Sequence, residues 1–262
     1  MKLLSTEFFD ETERPGQPFP VDTHMIIRDR YELAAELAKG RRVLEVGCGA
    51  GFGLRHLASV AESLHAVEYS TENLELLRSN FGDDLAVAHA DAHALPFAAG
   101  RFDLVVALAM IYYLDMDRFL AEAHRVLSAD GVLFFCTSNK DVPGFCAAPY
   151  TTGYFSVPEL KRAVENAGFE CRILGAFPAR GDLSRRRVRA WIKDAIKMIV
   201  TKMPGGESVW RSLRQQSQVD VRPLPACFTE MERPVETRNT LETDRPDRTH
   251  RVIYVVATRK AA

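Results

Sequence analysis

The sequence predicts an α/β protein built on a mostly parallel sheet with helices on both faces, and three observations carry that reading. Short aliphatic or β-branched runs alternate with helix-period segments from Arg41 to about Gly175, the pattern of parallel strands joined by crossover helices. A glycine-rich turn joins the first of these runs to the helix after it. Acidic residues stand at or beside the ends of the first three runs.

In chain order, Thr23 to Lys39 forms a helix with apolar Ile26, Ile27, Leu33, Ala34 and Leu37, positioned to cover one sheet edge as part of an N-terminal cap over residues 1–40. Strands are expected at Arg42–Val46, Leu64–Glu68, Leu85–His89, Phe102–Leu108, Val132–Thr137 and Phe169–Ala176. Helices fall between them at Gly51–Ala61, Thr71–Phe81, Asp115–Leu127 and Val157–Ala167. Ser70 before Asn73 is a helix-entry signal, and Asp130-Gly131 and Ala167-Gly168 are stop signals. The rhythm then breaks for about seventy residues and returns in the nearly uncharged strand Arg251–Thr258. The core domain is thus expected over 41–176 plus 248–262, with a helical insertion over 177–247.

Composition narrows the function. A chain of 262 residues with 47% hydrophobic content buries one sizeable core and an elaboration on it. Its 34 basic and 35 acidic side chains leave a formal net charge of −1, so no global field recruits nucleic acid. Five cysteines, at 48, 136, 146, 171 and 227, contain no C-x-x-C pair and fit neither a zinc site nor a disulfide framework. The amino terminus meets acidic residues before any signal-peptide core accumulates, and the uncharged run Leu104 to Leu114 is too short to span a membrane. A cytoplasmic location is the expectation.

The turn Val46-Gly47-Cys48-Gly49-Ala50-Gly51-Phe52-Gly53 lets the backbone approach a ligand closely and points helix amides at it. Glycine turns of this kind also serve NAD and FAD, so the neighbours decide. Glu45, two residues before the first glycine, is unwelcome beside a pyrophosphate and suited to a cationic ligand. Glu68 ends the second strand about twenty residues on, where a carboxylate accepts from both hydroxyls of a ribose. Asp91, just after the third strand, is placed to accept from an adenine amino group, with the Ala92 amide toward a ring nitrogen.

With these residues in view, the segment resembles the class I S-adenosylmethionine-dependent methyltransferases. The likeness rests on VLEVGCGAGFG, on Glu68 in HAVEYS, on DAHALPF from Asp91 to Phe97, on FDLVVAL from Phe102 to Leu108, and on FLAEAHRVLSADGVLFF from Phe119 to Phe135. It covers roughly Arg28 to Ala176 and the last strand. The resemblance implies a Rossmann-like, seven-stranded sheet with an antiparallel last strand and S-adenosylmethionine bound across its carboxyl edge. It further implies that the Gly47, Cys48, Gly49 and Gly51 backbone runs beside the methionine part, with Glu45 near its amino group. Glu68 would hold the ribose, Asp91 with Ala92 the adenine, and Tyr69 and Leu108 would flank the cofactor. Tyr31 would reach the cofactor carboxylate, with Arg28 a further candidate.

Methyl transfer from a sulfonium is an in-line displacement, so alignment and exclusion of water matter most and a general base is optional. Many relatives carry histidine after the fourth strand, whereas this chain has Tyr112 and Tyr113. A tyrosine of ordinary pKa is a poor base at neutral pH, so both are expected to shape the acceptor pocket. Together with His24 they remain the candidates for any catalytic role. His89 and His93 flank Asp91 and are expected behind it or in solvent. Tyr150 and Tyr154, on the Pro/Gly-shaped loop after the fifth strand, suit an acceptor wall.

The acceptor is expected to be a small or sugar-like molecule methylated on oxygen or nitrogen. AMIY stands where a nucleic-acid enzyme of this kind would show an N-P-P-Y-type tetrapeptide. Two other classes fit parts of the pattern: an NAD(P)-dependent oxidoreductase, on Glu68 alone, and a non-catalytic S-adenosylmethionine-binding regulator. Within the insertion, residues 184–202 place apolar side chains at 188, 191, 192, 195, 196, 199 and 200 on one helical face and Arg185, Arg186, Arg189, Lys193 and Lys197 on the other. That helix reads as a packed lid, a grip for an anionic acceptor, or a peripheral membrane contact to a lipid-linked one.

Overall fold

The computed structural model describes residues 12–82, 84–148, 150–179, 220–232 and 237–260. The chain opens with β1 (Pro18–Pro20) and α1 (Val21–Ala38), then alternates β2 (Arg42–Val46), α2 (Leu54–Ala58), β3 (Ser63–Glu68), α3 (Thr71–Phe81) and β4 (Ala86–His89). It continues through β5 (Phe102–Leu108), α4 (Met116–Val126), β6 (Leu127–Ser138), α5 (Val157–Asn166) and β7 (Phe169–Pro178). The short β8 (Val221–Pro223) and β9 (Asn239–Thr240) precede the final β10 (His250–Arg259).

The main sheet runs β4-β3-β2-β5-β6-β10-β7-β9. Strands β4 to β6 pair in parallel. β10 lies antiparallel between β6 and β7, with Val255 opposite both Phe135 and Ile173. Eight strands rather than seven result because the two residues of β9 pair with Leu174 and Gly175 at the outer edge. A separate two-stranded ribbon, β1 with β8, ties the chain before α1 to the segment before β10.

Period-two alternation sorts the central strands into two cores. Leu44, Val105, Leu133 and Phe135 meet α4 and α5 through Phe119, Leu120, Val126 and Leu160. Val43, Leu104, Val106 and Phe134 meet α1 through Ile27, Leu33 and Ala34. Because both faces of the middle strands are apolar, α1 covers the centre of one face and not the sheet edge that its spacing alone suggests. Tyr254 of β10 sits in this second core, fully buried, with its hydroxyl donating to Asp29 Oδ2 of α1 at 2.7 Å.

Local chemistry explains the helix starts. Ser70 Oγ accepts from the Asn73 amide at 3.2 Å, and Asp115 Oδ1 accepts from the Arg118 amide at 3.1 Å. Ser156 and Glu159 form a reciprocal capping box ahead of Pro158. One stop signal works differently from its expectation. α4 already ends at Val126, and Ser128 to Gly131 are looped out of the β5–β6 ladder, whose register passes from Leu127 to Val132. A Cβ on Gly131 would lie 2.9 Å from Leu127 Cβ, so glycine permits the tight reversal there.

Candidate active site

The ends of β2, β3, β4 and β5 open onto one cavity of about 340 Å³. Its wall includes Gly47, Cys48 and Gly49 after β2, Glu68 and Tyr69 after β3, Asp91, Ala92 and His93 after β4, and Leu108, Met110, Tyr112 and Tyr113 at and after β5. The sheet order lays these groups side by side, so the carboxyl edge of a parallel sheet becomes one binding surface.

The turn after β2 is held open by backbone geometry. Gly47 and Gly49 have φ of 70° and 56°, a region that favours glycine. A Cβ on Gly47 would come within 2.9 Å of the Met110 side chain, and one on Gly49 within 2.9 Å of Thr12 Cγ2. Gly51, also at positive φ (81°), and Gly53 make room for packing. A side chain at Gly51 would strike Leu77 and Phe81 of α3, and one at Gly53 would overlap the Tyr31 ring at 2.1 Å. Gly51 does not line the cavity.

Glu68 is buried, and each of its oxygens accepts one backbone amide at 2.8 Å, Oε2 from Gly49 and Oε1 from Ser70. The carboxylate is thereby fixed between two strand-end loops with lone pairs still available. Asp91 is more open. Its Oδ1 accepts from the His93 amide at 2.9 Å and bonds His93 Nδ1 at 2.7 Å. The Asp115 amide donates to His93 Nε2 at 3.0 Å, which leaves the ring proton on Nδ1, directed at Asp91. His93 is thus part of the wall and orients Asp91, whereas His89 bonds the Tyr69 carbonyl at 2.9 Å outside it.

Glu45 is 1% exposed and lies behind Tyr31, whose hydroxyl donates to its Oε1 at 2.8 Å. Burial pushes the Glu45 carboxyl up to about 7 against the pull of Tyr31 and Arg30. Among the described residues its Oε2 is buried without a partner, as is Nε of Arg30, and Glu45 itself does not line the cavity. Arg30 lines the cavity and pairs with Glu13, which keeps its guanidinium charged despite burial. Arg28 takes no part: it donates to the Phe228 carbonyl at 2.7 Å, stacks on that ring, and pairs with Glu32. The Cys48 thiol is pushed well up by burial and then by Glu68, so it stays protonated.

At the β5 side, Tyr112 stacks on Tyr154 with ring centres 4.8 Å apart and meets Tyr113 edge-on at 4.8 Å. Burial, then Tyr113, pushes the Tyr112 phenol well above its ordinary value. Thr152 locks the loop of residues 140–155 onto this turn by donating through N and Oγ1 to the Tyr112 carbonyl at 2.7 and 2.9 Å. Tyr154 lines an adjoining, more open groove that shares Leu114 with the first cavity. Tyr150 is 49% exposed and lines neither, and His24 bonds the Arg222 carbonyl at 3.1 Å, away from both.

Wall residues outside the sequence expectation include Thr12, Glu13, Arg30 and Met110, as well as His93. The first three belong to the N-terminal cap, which carries no ligand motif. The helix assigned to 184–202 falls outside the described residues. Among the described residues no cluster suited to a metal and no helix able to cross a membrane is found.

A cationic adenosyl ligand with a free amino acid fits this donor set. The buried arginine suits a carboxylate and the Glu68 and Asp91 carboxylates a nucleoside, while Glu45 stands behind Tyr31 and contributes negative charge without lining the cavity. Comparison with known proteins agrees. A methyltransferase domain family matches residues 44–135. A "probable S-adenosylmethionine-dependent methyltransferase" of Mycolicibacterium smegmatis is 30% identical over 190 residues, which span 68% of this chain and 72% of the relative. A malonyl-[acyl-carrier protein] O-methyltransferase of Geobacter sulfurreducens is 32% identical over 156 residues, 52% of this chain and 58% of the relative. The crystal structure of an S-adenosylmethionine-dependent methyltransferase from Thermotoga maritima superposes with a TM-score of 0.57 at 16% identity, over 91% of this chain and 94% of that one. The chain belongs to the class I S-adenosylmethionine-dependent methyltransferases.

Proposed function

We propose that this methyltransferase transfers its methyl group to an oxygen or nitrogen of a small-molecule or sugar-like acceptor. The observation that carries the reading is the joining, in one cavity of about 340 Å³, of the nucleoside-type acids with the aromatic turn Tyr112–Tyr113. That volume suits a small ligand pocket. The likeness to an O-methyltransferase from Geobacter supports the oxygen arm of the proposal.

S-adenosylmethionine supplies an activated methyl on a sulfonium. The residues around it then have three tasks. Glu68 and Asp91 fix the nucleoside, while Arg30 takes the donor carboxylate, and Glu45, buried behind Tyr31, favours the ammonium by its charge from outside the wall. Tyr112, Tyr113 and Met110 wall the space where an acceptor approaches and keep water from it. A phenol held protonated by burial donates a hydrogen bond, so Tyr112 orients the acceptor and does not remove its proton.

The proposal is tested with purified protein, labelled S-adenosylmethionine, and acceptor pools sorted into hydroxyl, amine and carbon-acid compounds. Label recovered in an ether, ester or methylamine supports it. Transfer only to protein, nucleic acid or a carbon centre overturns the acceptor class and leaves the family membership untouched.

A further inference from the structure

The segment before β1 runs across the cavity as a strap. The Thr12 methyl lies over Gly49, and Thr12 Oγ1 accepts from Asn73 Nδ2 of α3 at 2.8 Å. The next residue, Glu13, reaches Arg30 inside the wall. Farther along, Gly16 donates to the Leu224 carbonyl at 2.8 Å and Leu224 donates to the Gln17 carbonyl at 2.9 Å, so the strap is stitched to the segment beside β8. Its far end is therefore anchored while Glu13 holds a site in the cavity.

Arg30 is 5% exposed and its guanidinium already faces one carboxylate. Resting on the proposed role of Arg30 at the donor carboxylate, this arrangement presents two carboxylates to one buried cation. Like charges held against the same guanidinium repel strongly in a site shielded from water. We infer that Glu13 is a built-in competitor for the donor carboxylate: it occupies Arg30 when the donor is absent and must swing away, taking the strap with it, for S-adenosylmethionine to seat fully. The exchange keeps the cation paired in both states, because a buried arginine left alone is costly. It also links donor entry to movement of Thr12 off the glycine turn.

The test compares S-adenosylmethionine with its decarboxylated analogue, which keeps the adenosyl group, sulfonium and amine and lacks only the carboxylate. Calorimetric affinities for both are measured on the full-length protein and on Glu13→Gln. In the natural protein the donor carboxylate merely replaces Glu13, so the two ligands should bind within about threefold of each other. In Glu13→Gln the carboxylate gains an unpaired Arg30, and the preference for S-adenosylmethionine should widen to about tenfold, the equivalent of one charge-assisted hydrogen bond. A preference that stays the same or shrinks on substitution overturns the competition, and a shrinking one marks Glu13 as a clamp on bound donor. Binding of the decarboxylated analogue reports that the site is intact. Should Glu13→Gln not fold, Glu13→Asp, one methylene shorter, is measured the same way with the same expected widening. If the natural protein binds neither ligand, the donor-site reading fails rather than the competition.

Discussion

The two halves of the cavity are built by different means. On the donor side, three consecutive parallel strands deliver Gly47–Gly49, Glu68 and Asp91 from neighbouring carboxyl ends, and the fixing contacts are backbone amides. On the proposed acceptor side, the wall is a 3₁₀ turn, Ile111–Tyr113, braced by a loop from beyond β6 through ring stacking and Thr152. A site held by backbone geometry tolerates little side-chain change except at its acids. A site held by ring contacts is open to substitution, so one donor site is compatible with many acceptors.

The largest expected effect comes from a joint outside both halves, where α1 meets β10 and the segment before β9. Asp29 of α1 accepts from Tyr254 and, through Oδ1 at 2.7 Å, from Arg238, in the segment leading to β9. Asp29→Ala removes the nearest carboxylate of a part-buried arginine, which keeps Glu36 at 3.8 Å and the main-chain carbonyl of residue 29, and orphans the buried Tyr254 hydroxyl. Urea unfolding should therefore show a loss of about 2–4 kcal/mol, discounted for the partial exposure of Arg238. A loss below about 1 kcal/mol would make the joint dispensable. On the donor side alone, Glu68→Ala removes two anchored amide contacts together with the ribose ligand. Each such bond is worth about 1.5–3 kcal/mol, so the dissociation constant for S-adenosylmethionine should rise at least tenfold. Unchanged calorimetric affinity contradicts the ribose assignment.

On the acceptor side, Tyr112→Ala removes the ring on which Tyr154 stacks. We expect acceptor kcat/KM to fall about tenfold or more, with donor affinity changed less than threefold. If the two parameters fall together, the halves are not separable. Tyr150→Phe makes the smallest change, less than twofold in either constant, because that side chain lines neither cavity.

A pH profile sharpens the same contrast. The Glu45 carboxyl titrates near 7 in the fold against 4.5 when unperturbed, so its folded pKa is raised. Its contribution to stability of the ligand-free protein is therefore fully present below about 4.5 and is lost as pH rises through about 7. A bound ammonium favours the ionised carboxylate and reverses that preference. Affinity for S-adenosylmethionine should accordingly strengthen as pH rises toward 7 and level off above it, with proton release on binding. Glu45→Gln should flatten the profile, and a slope that survives this substitution assigns the proton elsewhere.

The donor side was legible because its signals are local. Alternating apolar runs define strands, and glycines and acids at fixed offsets from strand ends need no long-range contact to be recognised. The same locality leaves the packing roles of Gly51 and Gly53 unseen within the glycine turn. Gly51 and Gly53 belong to the motif by position, yet the side chains they make room for, Leu77, Phe81 and Tyr31, are set by helix packing. Arg28 and Arg30 stand two residues apart on α1, and nothing in the helix itself says which one faces the ligand. Packing of α1 across the sheet sends Arg28 to Phe228 and Arg30 into the cavity.

What the sequence determined by itself was the α/β class, the strand and helix order, the acids at the carboxyl edge, and the family with its S-adenosylmethionine donor. The class, the element order and the acids depend on periodicity and spacing within about twenty residues, where chain geometry fixes the outcome, and the family rests on the resemblance of the motifs they form. Only the tertiary structure decided that Thr12 and Glu13 reach the cavity, that His93 orients Asp91, and that Tyr112 leans on Tyr154 while Tyr150 stands apart. Such contacts join positions far apart in the chain or choose between near neighbours, and they arise from burial of whole faces, which no local pattern encodes.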